Sequence, residues 1–158
     1  MKIPARFLAL IALAATWLPA AHASPPPGLC KALRSFVESV QPDEKREFTF
    51  RTSWGENFKD APAPALAATR CEYGGYEPAK KVCDNLMKYG STEFAGANVK
   101  NSIICLSRKT RFAPLMRLDN GAFSFSYGSD HKGALIDITL QADEKVGGMA
   151  FRLMADGY

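Results

Sequence analysis

Residues 116–154 read MRLDNGAFSFSYGSDHKGALIDITLQADEKVGGMAFRLM, and their period-2 alternation decides the fold class. Ile136, Ile138 and Leu140 alternate with Asp137, Thr139 and Gln141, so a strand here turns one apolar face inward. Met149, Phe151 and Leu153 repeat the pattern with Arg152 and Met154 on the other side. Asn120-Gly121 is the favoured two-residue hairpin turn. Counting outward from it pairs Leu118 with Phe123, Met116 with Phe125, and Arg117 with Ser124. With a polar loop at 128–133 and a second turn at 143–148, the expectation is an antiparallel meander of four strands.

Working back from there, Phe48, Phe50, Thr52 and Trp54 alternate with Glu47, Thr49, Arg51 and Ser53 and predict a first strand. Residues 55–64 read as a loop, and 65–73 as a weakly patterned return strand ending at Gly74-Gly75. Leu29, Leu33, Phe36, Val37 and Val40 recur at helical spacing until Pro42 stops them. A second helix starts near Pro78, turns Ala79, Val82, Cys83, Leu86 and Met87 to one side, and is expected to close on a left-handed Gly90. Residues 98–108 centre on Ile103-Ile104-Cys105-Leu106, apolar on both sides, and read as a central strand. Helices and strands in this order do not alternate as parallel βαβ units do. The expected class is α+β, an antiparallel sheet of about five or six strands with two helices packed on one face.

The beginning of the chain has a different character. Lys2 and Arg6 precede a nearly unbroken apolar run from Phe7 to Leu18, and Ala21-His22-Ala23 has the small-x-small form of a signal-peptidase site. A dozen apolar residues fall short of the roughly 20 that span a bilayer. Residues 1–23 are therefore expected to be a cleaved signal peptide, 24–28 a flexible Pro-rich leader, and 29–158 a single domain with no membrane span, delivered to a periplasm or secreted.

Cys30, Cys71, Cys83 and Cys105 all lie in the mature part, and an even count in an oxidising compartment predicts two stabilising disulfides. A helix carrying Cys83 packed on a strand carrying Cys105 favours the pairing Cys83–Cys105, with Cys30–Cys71 left over. Of the 158 residues, 158 less 23 leaves 135, enough to bury a core that the disulfides supplement. The same cut removes Lys2 and Arg6 and no acid, so the net charge falls from +4 to +2 and no longer points to an acidic polymer.

Several chemistries lack their residues. His131 is the only histidine after position 23, and Ser129 and Asp130 are contiguous with it, whereas a triad faces across a site. There is no Gly-x-Ser-x-Gly, His-Glu-x-x-His, Cys-x-x-Cys or calcium-loop pattern, and Gly147-Gly148 belongs to a turn, so neither cofactor nor metal is expected. Aromatics do not interleave with the cations as nucleic-acid binding requires. Asp137, alone among apolar neighbours on a strand, keeps a small carboxylate hydrolase acting on glycans as the alternative. The side of the sheet opposite the helices should carry Arg51, Arg117, Asp137 and Arg152, and these are the candidate binding residues, because arginine is enriched at protein interfaces. The reading is a secreted or periplasmic non-enzymatic module that binds a protein, as an inhibitor or immunity protein acting on an envelope hydrolase or toxin does. A structural envelope protein is the third possibility.

Overall fold

Alternation along the strands puts Phe48, Phe50, Ile136, Ile138, Leu140, Phe151 and Leu153 on one side of a sheet, where all seven are buried. The computed structural model describes residues 24–113 and 115–158; the expected signal peptide lies outside them. The strands are β1 (Lys45–Trp54), β2 (Ala67–Glu72), β3 (Gly121–Ser129), β4 (Lys132–Ala142) and β5 (Met149–Gly157). They form a five-stranded, wholly antiparallel sheet in the order β2-β1-β5-β4-β3. The last strand thus sits at the centre and joins the first hairpin to the C-terminal meander.

Three helices pack against the apolar face: α1 (Leu29–Ser39), α2 (Glu77–Tyr89) and α3 (Ala95–Leu106). From α1, Leu29, Leu33, Phe36 and Val37 are buried; from α2, Ala79, Val82, Cys83 and Leu86; from α3, Val99, Ile103 and Leu106. Phe36, Phe48 and Phe151 meet edge-to-face with centroids 5.8 and 5.6 Å apart. Such pairs add about 1 kcal/mol each beyond their buried area. The class is α+β and disulfide-stabilised, as expected.

Several local expectations are corrected. Residues 98–108 are not a central strand: α3 runs through them. A short run apolar on both sides suits a buried helix as well as a buried strand, and here Val99, Ser102, Ile103 and Leu106 follow helical spacing into the core. The buried polar groups of the helix are satisfied, since Asn98 Nδ2 donates to Ser91 O, Asn98 Oδ1 accepts from Ser91 N, and Ser102 Oγ donates to Asn98 O, each at 2.8 Å.

The hairpin turn is not at Asn120-Gly121. β3 pairs forward with β4 from Gly121↔Leu140 to Ser129↔Lys132, so the two-residue turn is Asp130-His131. The apolar side of β3 had two possible partners, and the following strand offers a ladder far longer than the three residues 116–118. That preceding segment lies on α3 instead: Lys100 Nζ donates to Met116 O at 2.6 Å, and a Cβ on Gly96 would stand 1.9 Å from Leu118 O, so only glycine admits it there. The meander has three strands rather than four.

Neither expected pairing of the cysteines forms: the disulfides are Cys30–Cys105 and Cys71–Cys83. With Cys105 on a helix beside α1, Cys30 is its neighbour, while β2 on the sheet edge presents Cys71 to α2. Smaller departures have equally local causes. Gly90 closes α2 with φ −66°, not in the left-handed region, and is needed because a Cβ would stand 3.1 Å from the Phe50 ring and 2.5 Å from Leu86 O. Met87 and Trp54 are exposed, Trp54 because β1 ends there. The turn after β4 is as expected, with both Gly147 and Gly148 at positive φ.

Candidate functional site

The register of the sheet settles which side chains share its outer face. Thr49, Arg152 and Thr139 lie in one row; Glu47, Met154, Asp137 and Ser124 in the next; Arg70, Arg51, Ala150 and Gln141 in a third. Arg51, Asp137 and Arg152 are therefore on one face but in three different rows. Arg117 does not join them: it lies on the segment beside α3, its side chain 85% exposed, 3.2 Å from Asp119.

Each cation of that face meets an acid. Arg51 Nε donates to Asp143 Oδ2 at 2.9 Å, and its Nη1 lies 2.8 Å from Glu72 Oε1. Asp143 also accepts the backbone N–H groups of Val146 and Lys145 in the β4–β5 turn. The Val146 N–H first, then Arg51, hold its carboxyl below the usual carboxylate value. Arg152 pairs with Glu47, Lys45 with Asp156, and Arg70 with Asp60 through two parallel bonds of 2.8 and 2.9 Å. Asp137 accepts the Ser124 hydroxyl across the strand pair. His131 stands exposed at the tip of the β3–β4 turn.

The other end of the helical layer is built differently. A groove of about 610 Å³ opens between α1, α3 and the segment 107–113. Ala97, Lys100, Asn101, Ile104 and Arg108 line it at helical spacing from α3 and the residues just beyond it, and Arg34 reaches it from α1. Arg111 and Phe112 line it from the segment 107–113, and Ser24 and Pro25 from the chain ahead of α1. Among the described residues four cations and no carboxylate line the groove, together with the apolar Ile104 and Phe112. The hydrogen bonds these cations make go to backbone carbonyls: Arg34 Nε to Cys105 O, Lys100 Nζ to Met116 O, and Arg111 Nη1 to Arg108 O and Thr110 O. None of the ion pairs among the described residues includes any of the four. Arg108 follows the C-terminal end of α3, where exposed carbonyls favour a cation.

Cys30 also lines the groove, and its bond to Cys105, with Cα atoms 4.7 Å apart, fastens α1 to α3 at that point. The acid closest along α1, Glu38, is already committed: it accepts the Tyr127 hydroxyl at 2.6 Å and lines a separate pocket of about 460 Å³. Burial first, then the Glu38 bond, push the Tyr127 phenol up to about 12.

Sequence reasoning missed this groove because 98–108 read as a strand. One signal was present: residues 94–118 hold Lys100, Arg108, Lys109, Arg111 and Arg117 and not one Asp or Glu. Comparison with protein-family models, curated proteins and solved structures finds no match.

Proposed function

We propose that the chain is an exported, non-enzymatic binding protein that neutralises another protein of the envelope or extracellular space, as an inhibitor of a hydrolase or an immunity protein does. The first 23 residues carry it across the membrane and are removed after Ala23, and the two disulfides suit an oxidising compartment. The single observation that carries the reading is the α1–α3 groove, where four cations have no acid partner among the described residues while the cations of the outer sheet face are already paired. Unpaired arginines beside apolar lining residues are the composition of an interface centre, because a guanidinium binds a carboxylate through two donors and loses little entropy in doing so.

The test is retention from the native envelope fraction on the immobilised mature chain. One stoichiometric protein partner is expected, inhibited on titration with the mature chain and released by Arg108→Glu with Arg111→Glu. No saturable partner, together with turnover of a glycan that Asp137→Asn abolishes, would replace this reading with a hydrolase.

A further inference from the structure

We infer that the groove takes a short acidic segment of the partner, a loop tip or chain end with Asp or Glu on both sides of one aromatic or aliphatic side chain. The inference rests on the binding function proposed above and names the chemistry of the partner at that site. Charge is the first argument. Arg34 on α1, Lys100 on α3, Arg108 just beyond its end and Arg111 in the segment 107–113 all line the groove, and the two Nη groups of Arg34 make no hydrogen bond among the described residues. A carboxylate entering the groove would meet cations contributed by α1, by α3 and by the segment that follows it.

The apolar part of the lining is the second argument. Ile104 and Phe112 line the groove together with the cations, so a purely ionic ligand would leave apolar surface wet, whereas one apolar side chain set between acids would cover it. Shape is the third. A concave site of about 610 Å³ falls within the roughly 300–1,000 Å³ range of sites that enclose a compact ligand. A protruding segment of a few residues fills such a groove. A planar layer of anionic lipid headgroups touches only its rim and leaves Ile104 and Phe112 unreached.

Selection of a displayed library of random twelve-residue peptides on the oxidised mature chain tests this. The expected binders are enriched in Asp and Glu flanking Phe, Leu or Ile. For a synthetic peptide of the selected sequence, Arg108→Glu with Arg111→Glu should raise Kd at least tenfold, and Ile104→Ser should raise it severalfold. Arg152→Glu, on the sheet, should leave Kd within twofold. Selected peptides without acidic enrichment would overturn the inference, as would affinity unmoved by the groove substitutions. Saturable binding to phosphatidylglycerol vesicles or inorganic phosphate that displaces the peptide with equal affinity would also overturn it. If an envelope protein is still retained through Arg108 and Arg111 but the selection shows no acidic preference, the acidic-segment inference fails and the binding function stands. Acidic peptides that bind while no envelope protein is retained give the converse.

Discussion

On the outer face of the sheet Arg51 lies between Glu72 and Asp143, Arg70 meets Asp60 and Arg152 meets Glu47. In the α1–α3 groove Arg34, Lys100 and Arg111 donate to backbone carbonyls and meet no acid among the described residues. Both regions are rich in cations, yet only the groove keeps its charge available to something outside the chain. Charge counts summed over the whole protein conceal this. The net charge of +2 over residues 24–158 is the sum of +5 over residues 94–118 and −3 over the others. The contrast predicts that sheet substitutions change stability with little effect on binding, and groove substitutions the reverse.

The largest expected effect comes from unfastening the groove. Cys30–Cys105 closes a loop 75 residues long and Cys71–Cys83 one of 12. By loop-closure entropy the first stabilises by about 4 kcal/mol and the second by about 3 kcal/mol. Cys30→Ala with Cys105→Ala should therefore lower the denaturant midpoint more than Cys71→Ala with Cys83→Ala. Only the first pair should also weaken partner retention under conditions where both variants remain folded. Equal loss of binding in the two would break the assignment of function to the α1–α3 end.

Next in size is the charge reversal Arg108→Glu with Arg111→Glu. Retention of the partner should fall at least tenfold, about 1.4 kcal/mol. The thermal midpoint should fall only slightly, because Arg108 and Arg111 are exposed and the lost attraction of Arg108 to the C-terminal carbonyls of α3 is worth less than about 1 kcal/mol. A large loss of stability with unchanged binding would invert the comparison.

Arg51→Ala should do the opposite of that reversal. The Arg51 side chain is 16% exposed and Asp143 17%, so removing the guanidinium leaves a mostly buried carboxylate without its ion pair and should cost about 1 kcal/mol with no change in binding. Acid titration isolates the Asp143 share. Its carboxyl is held below the usual aspartate range in the folded state, so the stability it contributes is present at neutral pH and lost as pH falls through the folded value. The gap in denaturant midpoint between wild type and Asp143→Asn should hold steady from pH 7 to about pH 5 and close below about pH 4. A gap that persists to pH 2 would mean that Asp143 acts through packing, not charge.

How far the two regions could be read in advance follows from the same physics. In β1, β4 and β5 one face is buried and one is wet, so Phe48, Phe50, Ile136, Ile138, Phe151 and Leu153 announce both the strand and its inward side. That places Arg51, Asp137 and Arg152 together on the outer face from sequence alone. It does not reveal their partners, because Asp143 comes from a turn and Glu72 from the sheet edge. The α3 region was harder for a reason of its own: a helix covered by α1 and the sheet shows weak polarity around its circumference, so Ile103-Ile104 fits either period. Once that segment was read as a strand, Cys105 was paired with the wrong neighbour and Arg34 had no path to Lys100 and Arg108. The groove depends on helix-to-helix packing, which local alternation does not encode.

The smallest predicted effect gives the comparison its baseline. Arg152 was the most central of the candidate arginines by strand order, since β5 is the middle strand, and it faces solvent beside Thr49 and Thr139. Its side chain and that of Glu47 are 47% and 48% exposed. Water and salt therefore screen their attraction, and holding two long side chains in one geometry costs rotamer freedom. Arg152→Ala should shift stability by at most about 0.5 kcal/mol, and a double-mutant cycle with Glu47→Ala should show a coupling that shrinks further in 1 M salt. Partner retention should not change, because Glu47 already occupies the one guanidinium in the middle of the sheet. If Arg152→Ala instead abolishes retention while Arg108→Glu with Arg111→Glu leaves it intact, the outer sheet face is the interface, and the pairing of Arg152 with Glu47 is a resting state that the partner's own carboxylate displaces.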